Sequence, residues 1–237
     1  MSLPEIYGFN ECSEATEHVF APSIFLGNCN LRCPCCMNSK LVLQKGLTAV
    51  PISEVKDRIR AMAAEWIIIS GGEPTCTPLD QMKALITELK GMGLKIGMST
   101  NGIDRDYLDE IINDLNYIAM DVKSNRDDDY FRLSGSRSLI GMVVRSKILI
   151  TQNKIDRDDF DYEIRTTLYP PFIHEETLDD IGGLLRPDDK WVLQQFRRTA
   201  DMLSKPAEDV QPYCRKALIH LLEVAQKYTK NACIKYV

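Results

Sequence analysis

No stretch of this sequence approaches the roughly 18 consecutive apolar residues that suggest a membrane span, and the N-terminus lacks a basic segment followed by an apolar run. A soluble cytoplasmic protein with no membrane partner is expected. Basic residues are not in excess: 29 Lys and Arg stand against 34 Asp and Glu, a formal net charge of −5. Nothing global therefore favours a nucleic-acid backbone as partner. No low-complexity segment occurs, and no internal repeat beyond an alternation of strands and helices. The three histidines, His18, His174 and His220, have no spacing that suggests a joint metal site, so surface or packing roles are expected of them. With 237 residues and 44% hydrophobic content the chain can bury one substantial core, and no large accessory domain fits.

Cysteine is plentiful by contrast. Eight are present, and four crowd into residues 27–37, GNCNLRCPCCM. In a mid-sized chain this pattern favours metal binding in a reducing compartment over a disulfide scaffold. Cys29, Cys33 and Cys36 are separated by three and then two residues, a spacing that can fold around one iron-sulfur cluster. A 4Fe-4S cluster has four irons, so three thiolates leave one iron open for chemistry. The bland alternative is structural zinc with Cys35 as fourth sulfur, but adjacent Cys35 and Cys36 side chains diverge and zinc sites usually draw on two separated knuckles. Cys12, Cys76, Cys214 and Cys233 are scattered and suggest no second cluster.

Taken in order, residues 1–18 show no clear periodicity and read as an irregular lead-in. Residues 19–26 are apolar enough for a first strand, weakened by Pro22, that delivers the cysteine loop at its carboxyl end. Ser53 can cap a helix carrying Val55, Ile59, Met62 and Ala63 on one face. Strands follow at 66–70, 94–99, 117–122, 162–168 and 191–196, with helices at 79–92, 105–115, 138–151 and 175–185 between them. The acidic runs at 126–129 and 156–161 read as solvated loop faces or helix caps. This alternation implies parallel strands with right-handed crossovers, in either an open doubly wound sheet or a partial barrel. In both, ligands collect at the carboxyl ends of the strands. Residues 201–211, with Pro206, read as a surface connection and 212–230 as a terminal amphipathic helix. The expected organisation is a lead-in over 1–18, a barrel over 19–200 and a packed C-terminal extension over 201–237.

The cysteine loop followed by GGEP at 71–74 resembles the radical S-adenosylmethionine (SAM) enzymes. CNLRCPCCMN, SGGEPT, STNG, IAMDVK and VLQQF, over roughly residues 20–200, are similar in order and spacing to the activating proteins of glycyl-radical enzymes, nearest those of anaerobic ribonucleotide reductase. The resemblance implies an α/β fold, a three-quarter TIM-like (βα)6 barrel with a C-terminal helical extension. It implies a 4Fe-4S cluster on Cys29, Cys33 and Cys36 as the catalytic and metal-binding residues, with SAM on the open iron. A reduced cluster would then split SAM into methionine and a 5'-deoxyadenosyl radical that abstracts hydrogen from a glycine Cα of a partner. The partners implied are a glycyl-radical enzyme, such as anaerobic ribonucleotide reductase, and a flavodoxin- or ferredoxin-like electron donor.

Cofactor contacts follow from the same resemblance. Gly71 and Gly72 allow close backbone approach, and Glu73 accepts hydrogen bonds from the SAM ammonium. Cys35 and Met37 replace the aromatic and histidine common at their positions and line the cofactor pocket. Ser99 stands where an aspartate often helps bind a monovalent cation, with Asn101 beside it. Asp121 and Lys123 share a strand face beside SAM, Arg165 reaches the SAM carboxylate or forms a structural ion pair, and Gln194, Gln195 and Arg197 touch SAM or the partner's loop. Two further readings remain open: a radical SAM enzyme acting on a small molecule or peptide, and a non-catalytic metal-binding interaction module.

Overall fold

Short apolar runs separated by amphipathic helices fold into an open α/β sheet in a computed structural model that describes residues 2–16, 19–134, 137–199, 201–204 and 210–236. Eight strands lie in sequence order: β1 (Ile6–Thr16), β2 (Val19–Leu26), β3 (Trp66–Gly71), β4 (Lys95–Thr100), β5 (Tyr117–Asp121), β6 (Asp161–Leu168), β7 (Trp191–Gln195) and β8 (Ala232–Tyr236). Every neighbouring pair from β2 to β8 is parallel, and β1 pairs antiparallel with β2. Among the described residues no pairing joins β8 to β1, so the barrel is partial. The six parallel strands expected from the sequence are all present as its centre.

Helices cover the convex face: α1 (Ser39–Leu43), α2 (Ile52–Ala61), α3 (Leu79–Lys90), α4 (Arg105–Ile111), α5 (Asp127–Ser134), α6 (Leu139–Asp156), α7 (Glu175–Gly182) and α8 (Arg215–Gln226). The stripe Met82, Leu85, Ile86 and Leu89 of α3 is buried at helical spacing against Ile67 and Ile69 of β3 in one continuous core. Alternation sends Ile68 to the concave face, where it packs with Ala21, Tyr117, Ala119 and Trp66. No helix among the described residues is long and apolar enough to cross a membrane.

Three expectations need correction. Residues 6–16 form a strand, hidden because three register shifts break the period-2 pattern. One shift, between Asn10 and Ser13, faces Pro22, where a missing backbone donor is tolerated. Residues 232–236 add a further parallel strand beyond the terminal helix, too short to stand out. Of the two readings offered for the acidic run at 126–129, the helix end fits: Asp127, Asp128 and Asp129 open α5, where negative charge favours the helix N-terminus. Ser53 lies inside α2, which begins after Pro51 without a side-chain cap. His18 and the connection around Pro206 lie outside the described residues.

The end of α7 is fitted closely to the chain following α8. A Cβ at Gly182 would meet the Tyr228 ring at 2.3 Å, near its attachment and not at a flexible tip. Gly182→Ala is therefore expected to lower unfolding free energy by ~1–3 kcal/mol. Urea denaturation checks it, and unchanged stability would contradict this packing.

Candidate active site

The cysteine loop begins where β2 ends and is pinned at several points before any cysteine is reached. Asn28, in the left-handed region at φ 68°, donates its N–H to Leu41 O at 2.9 Å, and its carbonyl accepts the Glu73 N–H at 2.7 Å. Leu26 O accepts the Gly72 N–H at 2.9 Å. The two glycines are needed here: a Cβ on Gly71 would lie 2.2 Å from Leu26 O, and one on Gly72 would lie 1.7 Å from Asn28 O. Their missing side chains admit the cysteine loop's own backbone, a different use from the expected approach to a ligand.

Within the loop, Leu31 is buried and its N–H points at Cys29 Sγ at 3.4 Å. Cys36 N–H donates to Cys33 O at 3.0 Å, and the Arg32 guanidinium donates to Cys29 O at 2.6 Å. Cys29, Cys33, Cys35 and Cys36 are all half-buried free thiols. Burial pushes Cys29 and Cys35 up to about 12 and raises Cys33 and Cys36 as well. Among the described residues no three His, Cys, Asp or Glu side chains converge on a single metal-ion position. Three thiols on one loop at the strands' carboxyl ends are a donor set that fits an iron-sulfur cluster.

Glu73 is the least exposed polar group of the motifs, at 1%. Its Oε1 accepts from Thr75 N (3.2 Å), Thr75 Oγ1 (2.9 Å) and Thr100 Oγ1 (2.7 Å), and its Oε2 from Asn101 N (2.7 Å). Burial pushes this carboxyl up, and the donors from Asn101, Thr100 and Thr75 pull it back. Four protein donors already occupy the carboxylate expected to receive the SAM ammonium. Asn101 closes the unit by donating from Nδ2 to Asn30 Oδ1 at 2.7 Å. Thr75 and Thr100 were not singled out from the sequence, although both stand within the GGEPT and STNG segments.

Around Cys33 and Cys35 a small cavity of about 30 Å³ is walled by Lys123, Thr167, Tyr169, Phe172 and Ile173. Tyr169 and Phe172 stack at 5.9 Å, and Phe196 meets Tyr169 edge-on at 4.9 Å. Tyr169 and Phe172 follow β6 and went unnoticed in the sequence because they lie outside its motifs, whereas Phe196 closes the VLQQF segment after β7. Lys123 Nζ sits 3.0 Å from Asp121 Oδ2. Burial alone would lower its pKa, but Asp121 with Cys33 and Cys35 outweighs it and holds the ammonium well above its ordinary value.

The remaining expectations divide. Ser99 is half-buried at the end of β4, in register with Ala119. Arg165 pairs with Glu163 at 2.5 Å and lies beside Asp121 in register. Gln195 turns to donate to Tyr213 O at 2.9 Å, since alternation gives the concave face to Gln194. Arg197 is exposed beyond β7, and Met37 lines a separate cleft with Tyr7 and Phe25. His174 precedes α7, and His220 pairs with Glu175 at 2.8 Å. Cys76 lies near Cys29, pushed up to about 11 by burial. A roomier cleft of about 510 Å³, lined by Lys154, Asp188, Lys190 and Lys230, lies at the strands' opposite ends. None of the loop's thiols line it, so volume does not locate the chemistry.

The radical SAM superfamily profile matches residues 23–186. A Methanocaldococcus jannaschii protein provisionally named a glycyl-radical enzyme activating enzyme is 30% identical over 218 residues, 90% of this chain and 88% of that one. The 7-carboxy-7-deazaguanine synthase of Haemophilus influenzae is 32% identical over 105 residues, 44% of each chain. A radical SAM methyltransferase from Sphaerobacter thermophilus superposes with a TM-score of 0.66 at 16% identity, over 91% of this chain and 66% of that one. Streptococcus suis SuiB bound to S-adenosylmethionine gives 0.62 at 15% identity, over 90% of this chain and 51% of that one. The chain thus spans about half the length of SuiB, and at these identities the structural likeness shows the fold alone.

Because the clash at Gly72 is with backbone, no side-chain rotation relieves it. Gly72→Ala is expected to separate the cysteine loop from β3 and to cut iron bound per chain after anaerobic reconstitution at least severalfold. Iron and sulfide assay checks this, and wild-type loading would contradict the role assigned to the glycine.

Proposed function

The chain belongs to the radical SAM superfamily, whose cofactors are a 4Fe-4S cluster and S-adenosylmethionine, and we propose that it generates a glycyl radical on a partner enzyme. The observation that carries this reading is the three-thiol loop at the mouth of an open barrel, within a chain whose relative over 90% of its length bears the activating-enzyme name. Cys29, Cys33 and Cys36 would hold the cluster. When bound, the reduced cluster supplies the electron that splits SAM and yields a carbon radical able to abstract hydrogen.

The chain's own residues hold and shield this chemistry. Glu73 keeps the loop, the end of β3 and the end of β4 in one arrangement. Lys123, kept charged by Asp121, offers hydrogen-bond donors to SAM hydroxyl or carboxylate oxygens. Tyr169, Phe172 and Phe196 form an apolar wall that excludes water beside Cys35. The gap between β1 and β8 supports entry of a partner's glycine loop. The nearest partner type is anaerobic ribonucleotide reductase, with a flavodoxin- or ferredoxin-like protein as electron source.

A second reading, a radical SAM enzyme acting on a small molecule, draws support from the partial match to a 7-carboxy-7-deazaguanine synthase. Anaerobic reconstitution with iron and sulfide, followed by addition of a reductant and SAM, tests the common chemistry. Release of 5'-deoxyadenosine is expected from wild type and only background release from Cys29→Ala, whereas equal release from both removes the mechanism. Electron paramagnetic resonance of a supplied anaerobic ribonucleotide reductase then tests the partner. A glycyl-radical signal is expected, and its absence alongside SAM cleavage would favour the small-molecule reading.

A further inference from the structure

Among the described residues that wall the cavity beside Cys33 and Cys35, Lys123 is the one basic group. The other walls, Thr167, Tyr169, Phe172 and Ile173, carry no charge, and Asp121 does not line the space. The lysine thus stands between two sets of partners. Its Nζ lies 3.0 Å from Asp121 Oδ2, and it shares the cavity with the two thiols.

The backbone beneath this charge is fixed from two elements. The Lys123 N–H donates at 3.2 Å to the Oη of Tyr130, a fully buried residue of α5. One residue earlier, the Val122 N–H donates to Arg165 O at 2.8 Å, and Val122 O accepts from Thr166 Oγ1 at 3.0 Å. The ammonium is therefore presented to the cysteine loop from a rigid strand end.

A carboxylate 3.0 Å away offsets part of that charge, so the orientation of the pair decides what the loop feels. Burial raises the Cys33, Cys35 and Cys36 thiols, and at all three the Lys123 ammonium pulls the other way. At Cys33 and Cys36 its effect exceeds the opposing one of Asp121. The pair therefore turns its positive end to the thiols, in agreement with the cavity walls. At Cys29 burial again comes first, the Leu31 N–H opposes it, and the charge that adds to burial is Glu73. Other cations contribute less here: Arg165 is engaged by Glu163, and Arg32 is exposed, where solvent and salt screen it.

A cubane on three thiolates is anionic, and reduction adds one more negative charge. A cation held nearby stabilises the reduced form and raises the reduction potential, since local charge and exposure are levers on such clusters. Beside an apolar wall the attraction is screened less than in water.

We propose that Lys123 is a positioning residue for electron transfer: its ammonium, turned toward Cys33 and Cys35 by Asp121, raises the reduction potential of the cluster held by Cys29, Cys33 and Cys36. It eases delivery of the electron and weakens the reduced cluster as a reductant of SAM. This role deepens the proposed function and rests on it only in placing the cluster on the three cysteines.

Reductive titration of the full chain, reconstituted anaerobically with its cluster and kept free of SAM, tests it, with electron paramagnetic resonance reading the reduced cluster. Dithionite supplies the single electron, and no bond forms or breaks. At the wild-type midpoint the ratio of reduced to oxidised cluster should fall about tenfold in Lys123→Met, ~59 mV for a one-electron couple. Lys123→Arg should stay within about twofold, and Lys154→Met, at the strands' opposite ends, should leave the midpoint unchanged. Asp121→Asn should move the ratio upward about threefold or more, because the ammonium loses its offset. A wild-type midpoint in Lys123→Met, or a downward shift in Asp121→Asn, would overturn the proposal. A general disturbance of the loop would move both variants the same way. Only loaded chains give the signal, so partial loading does not alter the reading, and if Lys123→Met loads no cluster the direction of the Asp121→Asn shift decides. No partner enters the measurement: an unmoved potential leaves the glycyl-radical reading standing, and failure of radical formation leaves the role of Lys123 standing.

Discussion

A single buried carboxylate holds the cysteine loop where it is. Glu73 gathers hydrogen bonds from its own turn at Thr75 and from the end of β4 at Thr100 and Asn101, while its N–H fastens to Asn28. Burying a carboxylate is expensive, and only a full set of well-placed donors offsets it. Four are supplied here. The motif segments therefore act as one body: GGEP cannot move without the cysteine loop, and STNG cannot move without GGEP. Asn101 and Asn30 repeat the connection through side chains alone.

A similar division of labour runs across the sheet. The β2 to β4 side supplies geometry through Gly71, Gly72 and the Glu73 clamp, with little charge on its concave face. The β5 to β8 side supplies charge: the Asp121–Lys123 pair near the cysteines and the Glu163 cluster below it. Burial would push the Glu163 carboxyl up, yet Arg165, Lys235 and Lys190 outweigh it and hold it below the usual carboxylate range. One half of the barrel positions the cysteine loop, and the other pairs its ionic groups with one another.

Much of this arrangement was legible in the sequence because strand-helix alternation and the tight cysteine spacing are local signals. What was lost is what depends on distant partners. β1 escaped because bulges erase its alternation, and β8 because five residues carry too little pattern. Glu73 was read as a contact for SAM, and the protein partners it has in the fold were invisible: Thr100 and Asn101 lie 27 and 28 positions away. Arg165, read as a SAM contact or a structural ion pair, meets Glu163, two residues earlier on the same strand face, a pairing the i, i+2 rule permits without requiring. Gln195 was assigned the face that alternation reserves for Gln194.

The measurement that tests the clamp most directly is amide hydrogen exchange of wild type and Glu73→Gln in the absence of SAM. If Glu73 holds the loop, the amide at residue 3 of its own turn, Thr75, together with Glu73, Asn101 and Cys36, should exchange about tenfold or more faster in the variant while the α3 and α6 amides stay unchanged. If those amides keep wild-type protection, Glu73 serves a bound ligand only, and the account of a self-supporting cysteine loop is wrong.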